Sequence, residues 1–293
     1  MNPIFVTGAG GFAGSHLSSL CSVIPLQGKL ADLDNLKLQL EKHKPRSVIH
    51  LAAQSHVGSS FKNPRETYEV NFLGTFNLIE ALKATDFKGR FLYVSSADVY
   101  GSSKTLPIDE SHDCNPRSPY AVSKRAAELL CLHEKAFDII IARPFNHIGP
   151  GQSAHFALPS FVRQLKAGGI MRVGNLHTTR DFCDVRDMVK GYVQLLEKGK
   201  PGEIYNLCRG EEYLIEDVLH QIIAISGRTV ILEKDPLLVR EGEQLRMLGS
   251  YAKIYKDTGW EPEITLSTSL KDIWEDTCKK PLLQALQGKM API

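Results

Sequence analysis

Short, continuously apolar runs alternate with amphipathic helical patterns through roughly the first two-thirds of this chain. The apolar runs are rich in Ile, Val, Leu and Phe and cover residues 3–7, 47–51, 90–95 and 138–142. The helical patterns between them cover residues 12–21, 33–44, 64–84 and 119–136. Strands that are apolar at every position are typical of a parallel sheet with helices on both faces. The pattern therefore predicts an α/β fold with a doubly wound parallel sheet.

The alternation breaks after Gly151, and the remaining chain mixes helical and extended segments. A helix over residues 185–197 and a strand over 203–207 are predicted to return to the main sheet. We therefore expect a larger domain over residues 1–152, completed by residues 181–208. The segments 153–180 and 209–293 are expected to form a smaller lobe at the carboxyl edge of the sheet, where α/β folds bind ligands. Further elements are predicted near residues 22–26, 156–167, 170–173, 215–225 and 266–278.

The charge of the chain is nearly balanced, with 35 basic and 33 acidic residues. No segment is dominated by Lys and Arg, so we expect neither nucleic acid nor a membrane surface as the main partner. No apolar run approaches the roughly 20 residues that span a bilayer, and the N-terminus lacks the features of a signal peptide. The six cysteines form neither a CxxC pair nor a zinc-ligand spacing. We expect a cytoplasmic protein with reduced thiols and no metal site.

A glycine-rich turn joins the first predicted strand to the first predicted helix. Residues 7–14 read TGAGGFAG, with Gly8, Gly11 and Gly14 in a G-x-x-G-x-x-G spacing. Glycine permits positive φ and lets the backbone approach a pyrophosphate, while the helix N-terminus supplies free N–H groups and a positive dipole end. A turn between a strand and a helix is the context that a dinucleotide-binding motif requires. The motif therefore predicts a cofactor site of the Rossmann type.

Tyr120 and Lys124 lie four residues apart on a predicted helix, so their side chains share one face. Ser118 suits the N-cap of that helix and Pro119 its first position. A phenol has a reference pKa of about 10, but a neighbouring cation and a helix N-terminus both favour the phenolate. The pair is therefore a candidate for proton transfer near neutral pH.

Ser96 stands at the carboxyl end of the strand predicted over residues 90–95. Serines at strand ends are commonly turn formers. A hydroxyl in this place can also hydrogen-bond a substrate carbonyl held over a nicotinamide. Because the glycine turn and the Tyr120/Lys124 pair occur in the same chain, we favour the functional interpretation of Ser96.

These motifs, in this order, resemble those of the extended short-chain dehydrogenases, a superfamily of nucleotide-sugar epimerases, dehydratases and reductases. The stretch RPFN at 143–146 belongs to the same pattern. The resemblance implies that Tyr120 donates or accepts the proton, that Lys124 tunes it while binding the nicotinamide ribose, and that Ser96 polarises the substrate oxygen. The cofactor contacts that it implies are Gly8, Gly11, Phe12, Ala13, Gly14, Asp32, Leu33, Leu51, Ala52, Ala53, Asn71, Tyr120 and Lys124.

Three later stretches resemble the GDP-sugar branch, and most closely the reductases of GDP-4-keto-6-deoxy-mannose. They are FNHIGPGQ at 145–152, VGNL at 173–176 followed by RDF at 180–182, and DVRD at 184–187. The resemblance implies NAD(P)H-dependent reduction of the C4 ketone of a GDP-linked 4-keto-6-deoxy hexose or heptose, for cell-surface glycan synthesis. NADPH is expected from the reductase resemblance alone. NADH stays open, because Lys29, Asp32 and Asp34 are all candidates for the residue that selects the cofactor.

Other reactions of the superfamily are less consistent with the sequence. A dehydratase carries Thr-Asp-Glu or Thr-Ser-Glu where this chain has Ser96, Ala97 and Asp98. Elimination of water needs an acid and a base, whereas Ala97 has no proton to give and Asp98 is shorter than Glu. Three alternatives remain, namely an NAD-dependent 4-epimerase that keeps its cofactor through turnover, a non-catalytic nucleotide-binding protein and a GDP-mannose 4,6-dehydratase.

The resemblance also implies the substrate contacts and the assembly. The expected substrate contacts are Asn146, His147, Asn175, Arg180, Arg240 and Glu243. Arg180 is expected at the diphosphate, because an arginine fork fits phosphate oxygens. Arg240 and Glu243 are expected near the nucleotide ribose, although the family pattern Arg-Pro-x-Glu-Val-Pro reads REGEQL here and lacks both prolines. A homodimer through the helices of residues 64–84 and 119–136 is expected from most relatives.

Overall fold

A six-stranded sheet, parallel at every pairing, forms the centre of the computed structural model, which describes residues 2–239 and 244–279. Its strands are β1 (Ile4–Thr7), β2 (Val23–Pro25), β3 (Ser47–His50), β4 (Arg90–Val94), β5 (Asp138–Pro144) and β10 (Ile204–Leu207). They are ordered β10-β5-β4-β3-β1-β2. The predicted doubly wound sheet is confirmed, and the late strand β10 returns to it beside β5.

Helices cover both faces of this sheet, as the continuously apolar strands require. One face packs on α1 (Phe12–Leu20), α8 (Val185–Lys198) and the segment around α10 (Ala252–Thr258). The other face packs on α2 (Leu33–His43), α5 (Gly74–Ala84) and α6 (Pro119–His133). Fully buried side chains such as Phe5 and Phe91 point to one face, while Val6 and Leu92 point to the other. This alternation explains why the strands are apolar at every position.

The helix predicted over residues 64–84 is interrupted. It begins as α4 (Pro64–Tyr68), passes through a π-helical turn at Glu69–Leu73, and continues as α5. A π turn inserts one residue into a helix and is frequent at functional sites. Here it holds Asn71, whose amide bonds outside the helix. A short helix that the sequence pattern did not predict, α3 (Val57–Lys62), precedes it.

The smaller lobe has its own apolar cluster. Its helices are α7 (Ala157–Ala167), α9 (Ile215–Ser226) and α11 (Leu266–Lys279). The remaining strands pair as β7 (Gly169–Val173) with β12 (Val230–Lys234), as β8 (Thr179–Arg180) with β11 (Tyr213–Leu214), and as β6 (Asn146–Ile148) with β9 (Phe182–Asp184). The strands of the large sheet all lie within the ranges 1–152 and 181–208. No helix of the described residues is long and apolar enough to cross a membrane.

His50 is a core residue, as its place on a predicted buried strand suggests. Its ring is 1% exposed and joins the hydroxyls of Thr7, at 2.5 Å, and Thr75, at 2.9 Å. Burial, reinforced by the charge of Lys124, lowers the pKa of His50 to about 3. The imidazole is therefore neutral in the folded protein and links β1, β3 and α5 by hydrogen bonds.

Replacing His50 with Gln should make the stability of the protein less dependent on pH. The unfolded chain protonates His50 at a pKa of about 6.5, so the contribution of the neutral ring is present above that pH and is lost as the pH falls towards 3. Between about pH 7.5 and 5.5, the parent should lose about 1.4 kcal/mol more than the variant does. Urea unfolding at both pH values measures the difference. Equal losses in the two proteins would show that His50 does not titrate in this way.

Candidate active site

A cleft of about 430 Å³ opens at the carboxyl ends of the central strands. In the order β2-β1-β3-β4-β5, the chain leaves β1 and β3 towards opposite sides, and such a switch point is where α/β sheets bind ligands. The glycine turn, the loop after β3, the end of β4, the start of α6 and the segment after β5 line the cleft. Some of the candidate site residues lie thirty or more positions apart in the sequence, and the fold brings them together at this cleft.

The glycine turn is shaped for close approach of another backbone. Gly8 has a φ of +75°, and a Cβ on it would stand 2.6 Å from the backbone nitrogen of Ala52. A Cβ on Gly14 would stand 2.3 Å from the carbonyl oxygen of Gly8. The N–H of Gly11 donates to that carbonyl at 3.0 Å, and α1 begins at the next residue. This cradle and the helix N-terminus fit the pyrophosphate of a dinucleotide.

Ser96 and Tyr120 both line the cleft. Ser96 caps the 3₁₀ turn Ala97–Tyr100 by accepting a hydrogen bond from the Asp98 N–H at 3.1 Å. Its hydroxyl lies near the phenol of Tyr120 and lowers the pKa of that phenol. Burial and the carboxylate of Asp98 raise the pKa of Tyr120. The hydroxyl of Ser96 lowers it, but by a smaller amount, so the net shift is upward. Tyr120 therefore holds its proton at neutral pH.

Lys124 is buried beneath this pair. Its ammonium donates to the carbonyl of Val94 at 2.7 Å and stands 5.1 Å from the centre of the Tyr93 ring. Burial lowers the pKa of Lys124 to about 8, while Glu128 opposes that shift. The pKa of Tyr120 is raised rather than lowered here, because burial is the largest contribution to it and the Lys124 ammonium is directed to the carbonyl of Val94. A tuning role of Lys124 during proton transfer stays a prediction.

Most of the expected cofactor contacts line the cleft, namely Gly8, Gly11, Phe12, Ala13, Gly14, Leu51, Ala53, Tyr120 and Lys124. Ala52 lies under Gly8 and donates its N–H to the hydroxyl of Thr7 at 3.2 Å. Asp32 caps α2, where it accepts from the N–H of Asn35 at 3.0 Å, and Leu33 is the first residue of that helix. Contacts of Asp32 and Leu33 with the adenine remain predictions.

Asn71 lies outside the lining of the cleft. Its amide oxygen accepts from the N–H of Gln54 at 2.8 Å, and its amide nitrogen donates to the Gln54 carbonyl and to the Ser123 hydroxyl. Ser123 in turn donates to the carbonyl of Tyr120 at 2.7 Å. The amide thus joins the loop after β3 to α6. Its expected contact with the cofactor stays a prediction.

Three of the expected substrate contacts also line the cleft, namely Asn146, His147 and Arg180. The ring of His147 is stacked on that of Phe12, with 5.7 Å between their centres, and burial lowers the pKa of His147. Arg180 donates to the carbonyls of Thr179 and Gln244 at 2.7 and 2.9 Å.

Asn175 lies outside the lining and accepts from the N–H of His177 at 3.1 Å. Arg240 and Glu243 lie outside the described residues. Their contacts with the nucleotide ribose therefore stay predictions.

The cleft includes polar and aromatic residues that the sequence motifs did not identify, namely His56, Arg117, Gln152, Phe156 and Gln244. Arg117 directly precedes the cap of α6, so its closeness to Tyr120 in sequence was a usable signal. His56 caps α3 by accepting from the Ser59 N–H at 3.1 Å. Gln244 reaches the cleft from the lobe, and no local pattern marks it. Among the residues that the structure describes, no cluster of His, Cys, Asp and Glu could hold a metal ion.

The family described as GDP-mannose 4,6 dehydratase matches residues 20–273 of this sequence. The chain belongs to this family. The match spans the segments around Ser96 and Tyr120 and most of the lobe. The resemblance to extended short-chain dehydrogenases that the motifs indicated is therefore confirmed.

Individual members of the family extend the comparison. The chain is 41% identical to the GDP-6-deoxy-D-mannose reductase of Pseudomonas aeruginosa, over 93% of this chain and 96% of that protein. It is 30% identical to the GDP-6-deoxy-D-talose 4-dehydrogenase of Aggregatibacter actinomycetemcomitans, over 96% and 98% of the two chains. The solved structure of RMD from P. aeruginosa complexed with NADPH superposes with a TM-score of 0.89, at 40% identity, and covers 94% of this chain and 98% of that one.

Replacing Gly8 with Ala should destabilise the protein more than replacing Gly10 with Ala. A Cβ at Gly8 requires an unfavourable positive φ and overlaps the Ala52 backbone, whereas one at Gly10 meets no atom within 4 Å. We expect Gly8→Ala to cost about 1–3 kcal/mol or more and Gly10→Ala to stay within about 0.5 kcal/mol. Denaturant unfolding of the cofactor-free protein measures both. Similar losses for the two variants would argue against the close approach of the turn to β3.

Proposed function

We propose that this protein is an NADPH-dependent reductase that converts the C4 ketone of a GDP-linked 4-keto-6-deoxy sugar into an alcohol. The observation that carries the proposal is that Ser96, Tyr120 and the buried Lys124 line one cleft, beside a glycine cradle that fits a dinucleotide. The 41% identity to a GDP-6-deoxy-D-mannose reductase supports the substrate. The NADPH complex of RMD supports the cofactor.

The two hydroxyls have complementary roles in this reaction. The bound cofactor supplies a hydride to the ketone carbon. Ser96 donates a hydrogen bond to the ketone oxygen, which becomes more basic as negative charge develops there. Tyr120 then gives its phenolic proton to that oxygen. A tyrosine that keeps its proton at neutral pH, as this one does through burial, is suited to the donor role.

Lys124 supplies the positive charge that the proton transfer needs. With a pKa of about 8, its ammonium is mostly protonated at neutral pH. Once Tyr120 has lost its proton, the phenolate gains from the nearby cation in a site with little water. The bond of Lys124 to the carbonyl of Val94 fixes the ammonium at the end of β4, next to Ser96.

Reduction is favoured over dehydration by the residues that follow Ser96. Ala97 is 2% exposed and carries no group that could act as an acid or a base. Asp98 lines the cleft, but one carboxylate cannot replace the acidic pair of a dehydratase. The buried position of Ala97 agrees with the departure of residues 96–98 from the dehydratase motif.

The protein is proposed to act as a cytoplasmic homodimer. Its free thiols agree with a reducing compartment. Large apolar side chains are exposed along α3 to α6, among them Phe61, Leu73, Phe76 and Leu129, which are 61, 47, 42 and 45% exposed. Exposed apolar side chains on neighbouring helices are typical of a protein–protein interface. Two copies of this surface fit the helix bundle expected from the relatives.

Replacing Tyr120 with Phe should abolish most turnover and leave NADPH binding intact. The ring and its packing are kept, while the proton donor is lost, so kcat should fall by about 10²-fold or more. The assay follows the near-ultraviolet absorbance of NADPH on addition of GDP-4-keto-6-deoxy-mannose, and fluorescence titration follows cofactor binding. Turnover within a few-fold of the parent would rule out Tyr120 as the donor.

The same assay on the parent protein separates the candidate reactions. Stoichiometric oxidation of NADPH with one new alcohol product is the result expected of the reductase. Conversion of GDP-mannose into its 4-keto-6-deoxy form without added reductant would identify a dehydratase. Copurified NAD with interconversion of 4-epimers and no net oxidation would identify an epimerase.

Introducing Glu at Phe76 should convert the proposed dimer into a monomer. A charge placed in an apolar interface loses its hydration without gaining a partner. As a matched control, Leu38→Glu introduces the same change at a 64% exposed residue of α2, away from this face, and should leave the mass unchanged. Light scattering coupled to size exclusion measures the mass. A monomeric parent at micromolar concentration would contradict the dimer.

A further inference from the structure

A buried ion pair lies one helical turn below the catalytic lysine. Glu128 follows Lys124 by four residues on α6, and its side chain is 0% exposed. It accepts two hydrogen bonds from Arg143 on β5, at 2.8 Å from Nε and 2.7 Å from Nη2. A third bond, 2.8 Å long, comes from Nη1 of the partly exposed Arg125. The Arg143 side chain is 2% exposed, so both charges of the pair are inside the protein.

Arg143 connects this carboxylate to a second catalytic segment. Its guanidinium carbon lies 4.6 Å from the centre of the Tyr100 ring, a cation–π distance. Tyr100 ends the 3₁₀ turn that Ser96 caps, and its hydroxyl donates to Asn206 on β10 at 2.7 Å. Arg143 itself stands three residues before Asn146. One guanidinium thus contacts the helix of Tyr120 and Lys124 and the turn of Ser96, and it lies on the strand that leads to the substrate loop.

Burying two charges costs free energy of folding, unless the geometry of the ion pair is good enough to offset the loss of hydration. Buried ion pairs are often no more stabilising than apolar side chains of the same volume. The two-pronged bond of Arg143 does, however, fix both the distance and the orientation between α6 and β5. An apolar contact would not fix them in the same way. A role in the geometry of the site accounts for the pair better than a role in stability alone.

We propose that Glu128 and Arg143 act as positioning residues that hold Tyr120 and Lys124 in register with Ser96, and that the carboxylate of Glu128 keeps the Lys124 ammonium charged. The proposal rests on the reductase function argued above. It assigns no contact with the substrate or the cofactor to either residue. Their effect is transmitted through Lys124, Tyr120 and the turn that follows β4.

The surroundings of Lys124 agree with this electrostatic role. Burial lowers its pKa to about 8, and Glu128 is the first of the groups that raise it. The other titratable groups near Lys124 are uncharged at neutral pH. Burial raises the pKa of Tyr93 on β4 and that of Cys131 on α6, and it lowers the pKa of His50 on β3 to about 3.

Two arginines and a cysteine surround the carboxylate of Glu128. Arg125 and Arg143 carry positive charge against it. Cys114 lies near both arginines, and burial raises the pKa of its thiol, so it is neutral. Removing the charge of Glu128 takes away a carboxylate that lies one helical turn from Lys124 and raises its pKa, so the pKa of Lys124 should fall.

The test measures NADPH binding and turnover as functions of pH in Glu128→Gln. In the parent, NADPH affinity should weaken as the pH rises through the pKa of Lys124, because the ammonium loses its proton. In the variant, that midpoint should move to lower pH by about one unit, with kcat at least about tenfold below the parent. An unchanged midpoint in a variant shown to be folded by circular dichroism would overturn the electrostatic role.

Conservative variants test the positioning role and remain informative if Glu128→Gln does not fold. Glu128→Asp and Arg143→Lys keep the charges and lose the two-pronged geometry, so kcat should fall about tenfold while the pH midpoint stays near that of the parent. Values of kcat within twofold of the parent in both would overturn the positioning role. If both reduce kcat and shift the midpoint as Glu128→Gln does, the separation of the two roles is wrong.

A matched control removes another ion pair from the far side of the sheet. Asp257 bonds Lys200 at 2.8 Å and the hydroxyl of Tyr205 at 2.9 Å. Asp257→Asn should keep the parental kcat and pH midpoint, even if the protein becomes less stable. If the parent binds NADPH but reduces no GDP-linked 4-keto sugar, the proposed function fails. The pH dependence of NADPH binding still decides the inference about Glu128 in that case.

Discussion

The close approach of β1 and β3 at their carboxyl ends is the constraint on which the rest of the site depends. Gly8 leaves room for the backbone of Ala52, and the hydroxyl of Thr7 bonds both His50 and the Ala52 N–H. With the two strands held this close, the glycine turn and the loop after β3 diverge to opposite sides. The crevice between them is the cleft, and its place follows from the strand order rather than from any single side chain.

Burial sets the chemistry within the cleft. Desolvation raises the pKa of a phenol and lowers that of an amine, and it acts on Tyr120 and Lys124 in these opposite directions. The two groups have nearly equal pKa values in water, and burial moves those values apart, so the phenol holds its proton more firmly and the ammonium less firmly. A proton donor that keeps its proton, beside a cation that is retained at neutral pH, is the combination that reduction of a ketone requires. The carboxylate of Glu128 limits how far the lysine can shift.

Sequence patterns were sufficient for the sheet and for the ends of its strands. The continuous apolar runs identified β1, β3, β4 and β5, because both faces of each strand are covered. The glycine turn and the Tyr120/Lys124 spacing could also be recognised from the sequence, because each involves residues that are close together in the chain. The π turn could not be recognised in this way, because the bonds of its Asn71 go to Gln54 and Ser123, which lie far from it in sequence.

The sequence by itself determined the fold class and the glycine turn, because periodicity and local spacing encode them, and its resemblance to a family predicted the three candidate catalytic side chains. Only the tertiary structure decided the pKa values and the hydrogen-bond partners of those side chains. The direction of the Tyr120 shift, the bond of Lys124 to Val94 and the buried pair of Glu128 and Arg143 depend on burial and on contacts between separate segments. Burial is a property of the whole packed chain, so no local pattern could have specified it.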